Sequence, residues 1–250
     1  MTLNAGGRSE TGPRAMNQDW LAWDLDLGLF VVADGMGGHN AGDVASRMAT
    51  ESIRQFVRET RDGKEQTWPF PYEAGSSVDV NRLLSAVRLA NRKVYDGGCN
   101  NAAMEGMGTT VVAILARSDQ AVLVGVGDSR IYRFRNGELE QMTSDDTWLS
   151  AVVGVADDDR AMSNHPLKHV LTSVVGTRED LHPEAREEQL RAGDLFVLCT
   201  DGIHGRLDAA AIAEVVRKGG TADQIASALV EEALSRRTSD NATALVIAVG

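Results

Sequence analysis

Apolar residues in this chain cluster in short runs separated by acids, glycines and turn residues. Leu27–Ala33, Leu195–Cys199 and Ala242–Val249 are almost continuous, while Thr109–Ala116, Ala121–Val126 and Arg130–Arg135 are β-branched or alternating. All six predict strands. Trp20–Trp23 lies just before the first of them across Asp24 and Asp26, which predicts a hairpin. Asn136-Gly137 is a strong hairpin turn, with Leu139–Thr143 as the returning strand. Between these blocks the period changes. Val44, Met48, Ile53, Phe56 and Val57 have helical spacing and predict a helix over Asp43–Glu59, with Asp43 as N-cap. Val80, Leu83, Leu84, Val87 and Val94 mark the buried stripe of a second helix, and Ile212–Val216 and Ile225–Leu234 predict two more. From Ser144 to Asp180 no period is clear, and Asp157–Asp159 reads as a solvated surface excursion.

Two helices, a run of strands, two more helices and a closing strand predict an α+β fold, with helices covering the outer faces of antiparallel sheets. A chain of 250 residues and 26.8 kDa can bury its core as one domain, residues 1–250. Its net charge of −11 is the wrong sign for a nucleic-acid footprint. No stretch approaches the roughly 20 apolar residues of a membrane span, and the first residues lack an apolar leader, so no membrane association and a cytoplasmic location are expected. Cys99 and Cys199 form no CxxC pair and read as a loop thiol and a buried strand residue.

The charge becomes informative through its placement. Asp34 ends Leu29–Ala33 and is followed by Gly35-Met36-Gly37-Gly38-His39. Asp201 ends Leu195–Thr200 and is followed by Gly202. Asp128 follows Ala121–Gly127, Asp240 precedes the last strand and Asp19 precedes the first predicted one. Any single Asp-Gly after a strand is usually only a turn. Five acids at strand ends are harder to dismiss, because a buried carboxylate needs a partner. Oxygen donors suit Mg²⁺ or Mn²⁺, and no His/Cys spacing favours zinc. Glycine after Asp34 lets the main chain approach, so the Gly35 carbonyl is a further candidate donor. Spacing alone reaches a divalent-metal site and no further.

The ordered motifs resemble those of bacterial type 2C phosphatases, the metal-dependent Ser/Thr protein phosphatases. They run from Arg14 and Asn17-Gln18-Asp19 through Val31–His39, Gly106–Thr110, Gly127–Tyr132, His169–Thr172 and Thr200–Gly202 to Ser239–Thr243, covering essentially the whole chain. The resemblance implies a four-layer α/β/β/α sandwich that hydrolyses phosphoserine and phosphothreonine by a metal-bridging water. It implies two core Mn²⁺ or Mg²⁺ ions. Asp34 would bridge them, the Gly35 carbonyl would reach one, and Asp19, Asp201 and Asp240 would complete the centre. Asp128, with Asp201, would hold a weaker third ion. Arg14 would grip the substrate phosphate, its planar fork matching two phosphate oxygens. His39 is either the general acid for the leaving oxygen or a solvated loop histidine. The expected partners are phosphorylated proteins and a cognate Ser/Thr kinase, met by a monomer, with residues 144–180 as a flap over the site.

Two positions depart from the family pattern: Gln18 stands where glutamate is common, and Asp146 where histidine is common. A catalytically inactive binding module of the same fold is the chief alternative, and retention of Arg14, Asp19, Asp34, Asp201 and Asp240 argues against it. A calcium-stabilised structural protein lacks an EF-hand pattern. A phosphatase for small phosphate esters stays open.

Overall fold

Leu29–Ala33 reads as a continuous apolar run because both faces of that strand are covered. Leu29, Val31 and Ala33 turn toward one hydrophobic layer and Phe30 and Val32 toward another. The computed structural model describes residues 1–38, 41–61, 68–148, 150 and 170–250. Within them, two antiparallel sheets are packed face to face. The first has the order β1 (Leu3–Glu10), β11 (Ala242–Val249), β10 (Leu195–Cys199), β7 (Arg130–Arg135), β8 (Glu138–Gln141). The second runs β2 (Asp19–Asp24), β3 (Leu29–Met36), β5 (Val111–Arg117), β6 (Gln120–Val126), β9 (Glu184–Gln189), with the short β4 (Gly108–Thr109) on the end of β3.

Three apolar layers hold the four structural ones together. Phe30, Ile114, Leu123, Phe196, Leu198 and Leu245 fill the space between the sheets. Helices α1 (Ala41–Thr60) and α2 (Val78–Asn100) place Ile53, Val57, Leu83 and Val87 on the outer face of the second sheet. Beyond the first sheet, α4 (Ala209–Arg217) and α5 (Ala222–Ser235) place Ile212, Val216, Ile225 and Leu229 against Val197 and Val246. The short helix α3 (Asp201–His204) follows β10 directly. Covering both sheets on both faces is the α/β/β/α sandwich expected from the chain.

Differences from the expectation have local causes. Helix α1 begins at Ala41, so Asp43 is not its N-cap but lies in its first turn, where its charge complements the helix dipole. Cys99 is exposed but sits in the last turn of α2 rather than in a loop. The returning strand stops at Gln141, although the Met142 N–H still donates to the Ile131 carbonyl at 2.7 Å. Strands β1 and β9 escaped the apolar pattern. β1 carries two glycines and little apolar surface, and β9, Glu-Ala-Arg-Glu-Glu-Gln, is an edge strand kept polar by its position. Its Glu188 receives Arg133 from β7 at 2.8 Å and Arg186 at 2.6 Å, so the charges that hid the strand tie one sheet's rim to the other's. The Asp157–Asp159 run lies outside the described residues.

Helices α1 and α2 are joined by a buried cation. Arg82, 2% exposed, donates from Nε to Thr60 Oγ1 and from Nη2 to the Thr60 carbonyl, both at 3.0 Å, and pairs with Asp79. It thereby satisfies the C-terminal end of α1. Arg82→Ala is expected to lower stability by about 2–4 kcal/mol through the stranded Thr60 and Asp79 groups, seen as a lower urea midpoint with an unchanged slope.

Candidate metal centre

One end of the sandwich collects the acids. In the β2–β3 pair, Asp19 is directly opposite Asp34, an arrangement that repels unless something positive lies between. Asp19 is 4% exposed, and its Oδ2 accepts from Thr200 Oγ1 at 2.9 Å and Thr243 Oγ1 at 2.6 Å. Its Oδ1 is buried with no hydrogen-bond partner. These threonines begin or border the segments bearing Asp201 and Asp240, so the two hydrogen bonds bring chain parts 181 and 224 residues away to Asp19.

Ionisation follows from that crowding. Burial, with the charges of Asp201 and Asp240, pushes the Asp19 carboxyl up to about 7 despite its two threonine donors. Asp34 lies well above the ordinary carboxylate range, first through burial and then through the charges of Asp19, Asp201, Asp240 and Asp128. Its side chain is half-buried rather than sealed from solvent. Asp128 is pushed up to about 6 by burial and by Asp201 and Asp145. The other four acids singled out by their strand-end placement are therefore all within electrostatic reach of Asp34.

The main chain around them is fastened from several elements. The Asp34 N–H donates to Thr110 Oγ1 at 3.1 Å, and the Asp34 carbonyl accepts from Thr109 Oγ1 and the Thr110 N–H, both at 2.8 Å. Gly35 lies so close to α1 that a Cβ there would stand 2.0 Å from the Gly42 carbonyl oxygen, so no other residue fits. The Gly35 N–H donates to the Gln18 carbonyl at 3.1 Å. Asn241 pins the loop before β2: its Oδ1 accepts the Gln18 N–H at 2.8 Å and its Nδ2 donates to the carbonyls of Thr11 and Met16.

That loop carries Arg14. Its Nη2 is 2.6 Å from Asp240 Oδ2 and its Nε donates to the Ser239 carbonyl at 3.0 Å, while the side chain remains 55% exposed. His39 lies outside the described residues, so the structure does not place it. Thr200, Thr243 and Asn241 stood inside the motifs of the resemblance, but their role as holders of the acid-bearing segments depends on distances that sequence does not contain. His204 gave no sequence signal apart from falling three residues after Asp201.

The residues fit hard divalent cations. The orphaned Asp19 oxygen and the facing Asp19–Asp34 pair both call for positive charge, and the donors are oxygens. Among the described residues no three His, Cys, Asp or Glu side chains close on one point by themselves. Ions here would thus complete their shells with main-chain carbonyls and water, as Mg²⁺ and Mn²⁺ commonly do. Cys199 offers no competing chemistry: burial pushes its thiol up to about 12.

A fold of two antiparallel sheets between helix layers, with acids gathered at one end, defines the class. The protein phosphatase 2C family matches residues 6–236, and the chain belongs to it. It is 32% identical over 249 residues to the serine/threonine protein phosphatase PstP of Mycobacterium tuberculosis, covering 98% of this chain and 45% of that protein. The chain thus spans about half the length of that curated relative. It is 29% identical over 225 residues to the serine/threonine phosphatase stp of Listeria innocua, covering 88% of this chain and 83% of that one. The crystal structure of the PstP catalytic domain in complex with two manganese ions superposes with a TM-score of 0.82 at 31% identity, covering 99% of both chains. Among the described residues no helix is long and apolar enough to cross a membrane.

Proposed function

We propose that this chain hydrolyses phosphoserine and phosphothreonine in proteins, using Mn²⁺ or Mg²⁺. The observation that carries the reading is the Asp19–Asp34 pair, two carboxylates face to face, with a buried, unsatisfied oxygen on Asp19 and the charges of Asp201 and Asp240 added. Asp19, Asp34, Asp201 and Asp240, with the Gly35 carbonyl, would hold two ions, and Asp128 with Asp201 a looser third. When bound, such ions supply Lewis acidity to the phosphoryl oxygens and make water acidic enough to attack phosphorus at neutral pH.

The protein's own contribution is placement. Thr200 and Thr243 fix one Asp19 oxygen and leave the other, buried, without a protein partner. Thr109 and Thr110 fix the Asp34 main chain. Arg14 stands at the rim beside Asp240, where its guanidinium can receive two phosphate oxygens and orient the ester. His39 is assigned protonation of the leaving seryl or threonyl oxygen. A single domain over residues 1–250, with residues 144–180 as its flap, a monomeric state in the cytoplasm and a cognate Ser/Thr kinase as the opposing activity complete the reading.

Turnover of p-nitrophenyl phosphate and of phosphoserine and phosphothreonine peptides is expected with Mn²⁺ and lost with EDTA. Arg14→Ala is expected to raise KM about tenfold or more with a smaller change in kcat, if the arginine binds ground and transition states alike. A folded, Mn²⁺-bound protein without turnover would overturn the enzyme reading. A preference for phosphotyrosine peptides or free phosphate metabolites would overturn the substrate class.

A further inference from the structure

The turn that carries Asp128 is held from outside by two residues to which the motif pattern gives no function. The Gly127 N–H donates to Asp146 Oδ2 at 3.0 Å, and the Asp146 N–H donates back to the Gly127 carbonyl at 2.8 Å. One residue further on, the Asp128 carbonyl oxygen is 3.0 Å from His204 Nε2. A carbonyl can only accept, so His204 donates from Nε2. Behind the turn, Ser129 Oγ and Thr110 Oγ1 share a hydrogen bond of 2.7 Å. Gly127 has φ +95°, and a Cβ there would come within 2.6 Å of Thr110 Cγ2, so the turn has little room to adjust.

We propose that Asp146 and His204 are positioning residues that fix the direction of the Asp128 carboxylate toward Asp201 and so set the affinity of the looser ion site these two acids would share. This rests on the reading of Asp128 and Asp201 as ligands of a third ion.

The connectivity makes the two grips different. His204 lies on α3 three residues after Asp201, so its hydrogen bond ties the main chain of one candidate ligand to the helix that begins with the other. Asp146 ties the turn to the segment after β8, and its own carbonyl accepts the Thr172 N–H at 2.8 Å. A carboxylate on a turn is aimed by its backbone before its side-chain torsions, and a metal site tolerates only fractions of an ångström. Neither residue need touch an ion to matter.

The test is a Mn²⁺ titration of metal-free protein by calorimetry, run beside its thermal melting. Asp146→Ala and His204→Ala are expected to weaken the weakest binding step about tenfold, the range typical of residues that orient a metal's ligands, and to leave the tighter steps unchanged. Asp146→Asn retains an oxygen acceptor for the Gly127 N–H, and His204→Gln retains a donor near Nε2, so both should bind like the parent. Asp128→Ala should remove the step. If Asp128→Ala removes it while Asp146→Ala and His204→Ala leave it within about twofold, the positioning assignment is wrong. If Asp146→Asn binds as poorly as Asp146→Ala, the carboxylate acts through charge and the assignment of its hydrogen bond is wrong. If Asp128→Ala leaves the isotherm unchanged, it is the third-ion reading that fails, and the inference falls with it.

Discussion

Asp34→Asn is expected to lower kcat on p-nitrophenyl phosphate by about 1,000-fold or more, well beyond the 10–100-fold typical of residues that merely orient a ligand, and at the same time to raise the melting temperature of the metal-free protein. The opposite signs follow from one geometry. Asp34 is directly across from Asp19 and is destabilised as an anion by burial and by Asp19, Asp201, Asp240 and Asp128. Asparagine keeps the shape and removes one charge from the cluster, which relieves the metal-free fold. The same substitution leaves the proposed bridging position without a full carboxylate, which disables the centre. A carboxylate retained for structure would behave otherwise: its replacement would cost stability with and without metal and spare turnover. Melting curves in EDTA and in Mn²⁺, set beside kcat, separate the cases. Retention of full activity would falsify the proposed centre.

Metal removal should make stability depend on pH in a direction set by the raised acids. Asp19, pushed up to about 7, and Asp128, pushed up to about 6, hold protons in the folded state that the unfolded chain releases near pH 4. Below about pH 4 both states are protonated and these groups contribute nothing. As pH rises toward 7 the folded state binds more protons than the unfolded one, so stability falls, and the full cost is reached above the folded-state values. Asp34 acts in the same sense. Bound Mn²⁺ replaces those protons and binds more tightly as pH rises.

The melting temperature in EDTA should therefore drop between pH 5 and 8 relative to that in Mn²⁺, and the gap should widen with pH. At about 100 times the dissociation constant, one ion adds about 2.7 kcal/mol, or roughly 5–10 °C for a chain of this size. Asp24, where hydrogen bonds from Leu27 and Arg58 outweigh burial, and Asp194, where Arg135 does the same, titrate low and favour the fold as pH rises. They act in both forms and cancel in the difference. Parallel melting curves with and without Mn²⁺ would show that the acids do not share a cation.

The legible part of this protein was the part written in contrasts. Asp34 and Asp201 stand out because each stops an apolar run, and those runs are continuous because the strands are covered on both faces. Helices α1 and α2 were visible through their buried stripes, whereas their ends were not: α1 starts at Ala41, two residues before Asp43, a boundary that hydrophobic period does not set. Strand β9 was invisible because an edge between two charged rims favours Glu and Arg over apolar residues. Convergence of the acids was not readable either. Asp19 and Thr243 are 224 positions apart, and only the fold makes their 2.6 Å contact. The resemblance supplied the candidate ligands, but not the hydrogen bonds by which Thr200, Thr243 and Asn241 hold the segments that bear them, nor the grip of Asp146 and His204 on the Asp128 turn.

Strand β1 lies antiparallel to β11, with Leu3 beside Val249 and Glu10 beside Ala242, and the Thr2 and Gly250 main chains exchange hydrogen bonds of 2.9 Å. Both chain ends thus leave from the same end of the sheet, a strand's length of about 26 Å from Asp240. A pulling force applied through these two ends would load the hydrogen bonds of the β1–β11 ladder one pair at a time, as a zipper is opened, instead of sharing the load along the strand as in shear. The first pairs to part would be those farthest from the acids. The last would include Ser9, whose hydroxyl is 2.7 Å from Thr243 and, through it, in contact with Asp19. Pulled through these two ends, the ladder would therefore part first between Leu3 and Val249, the pair farthest from the candidate metal centre.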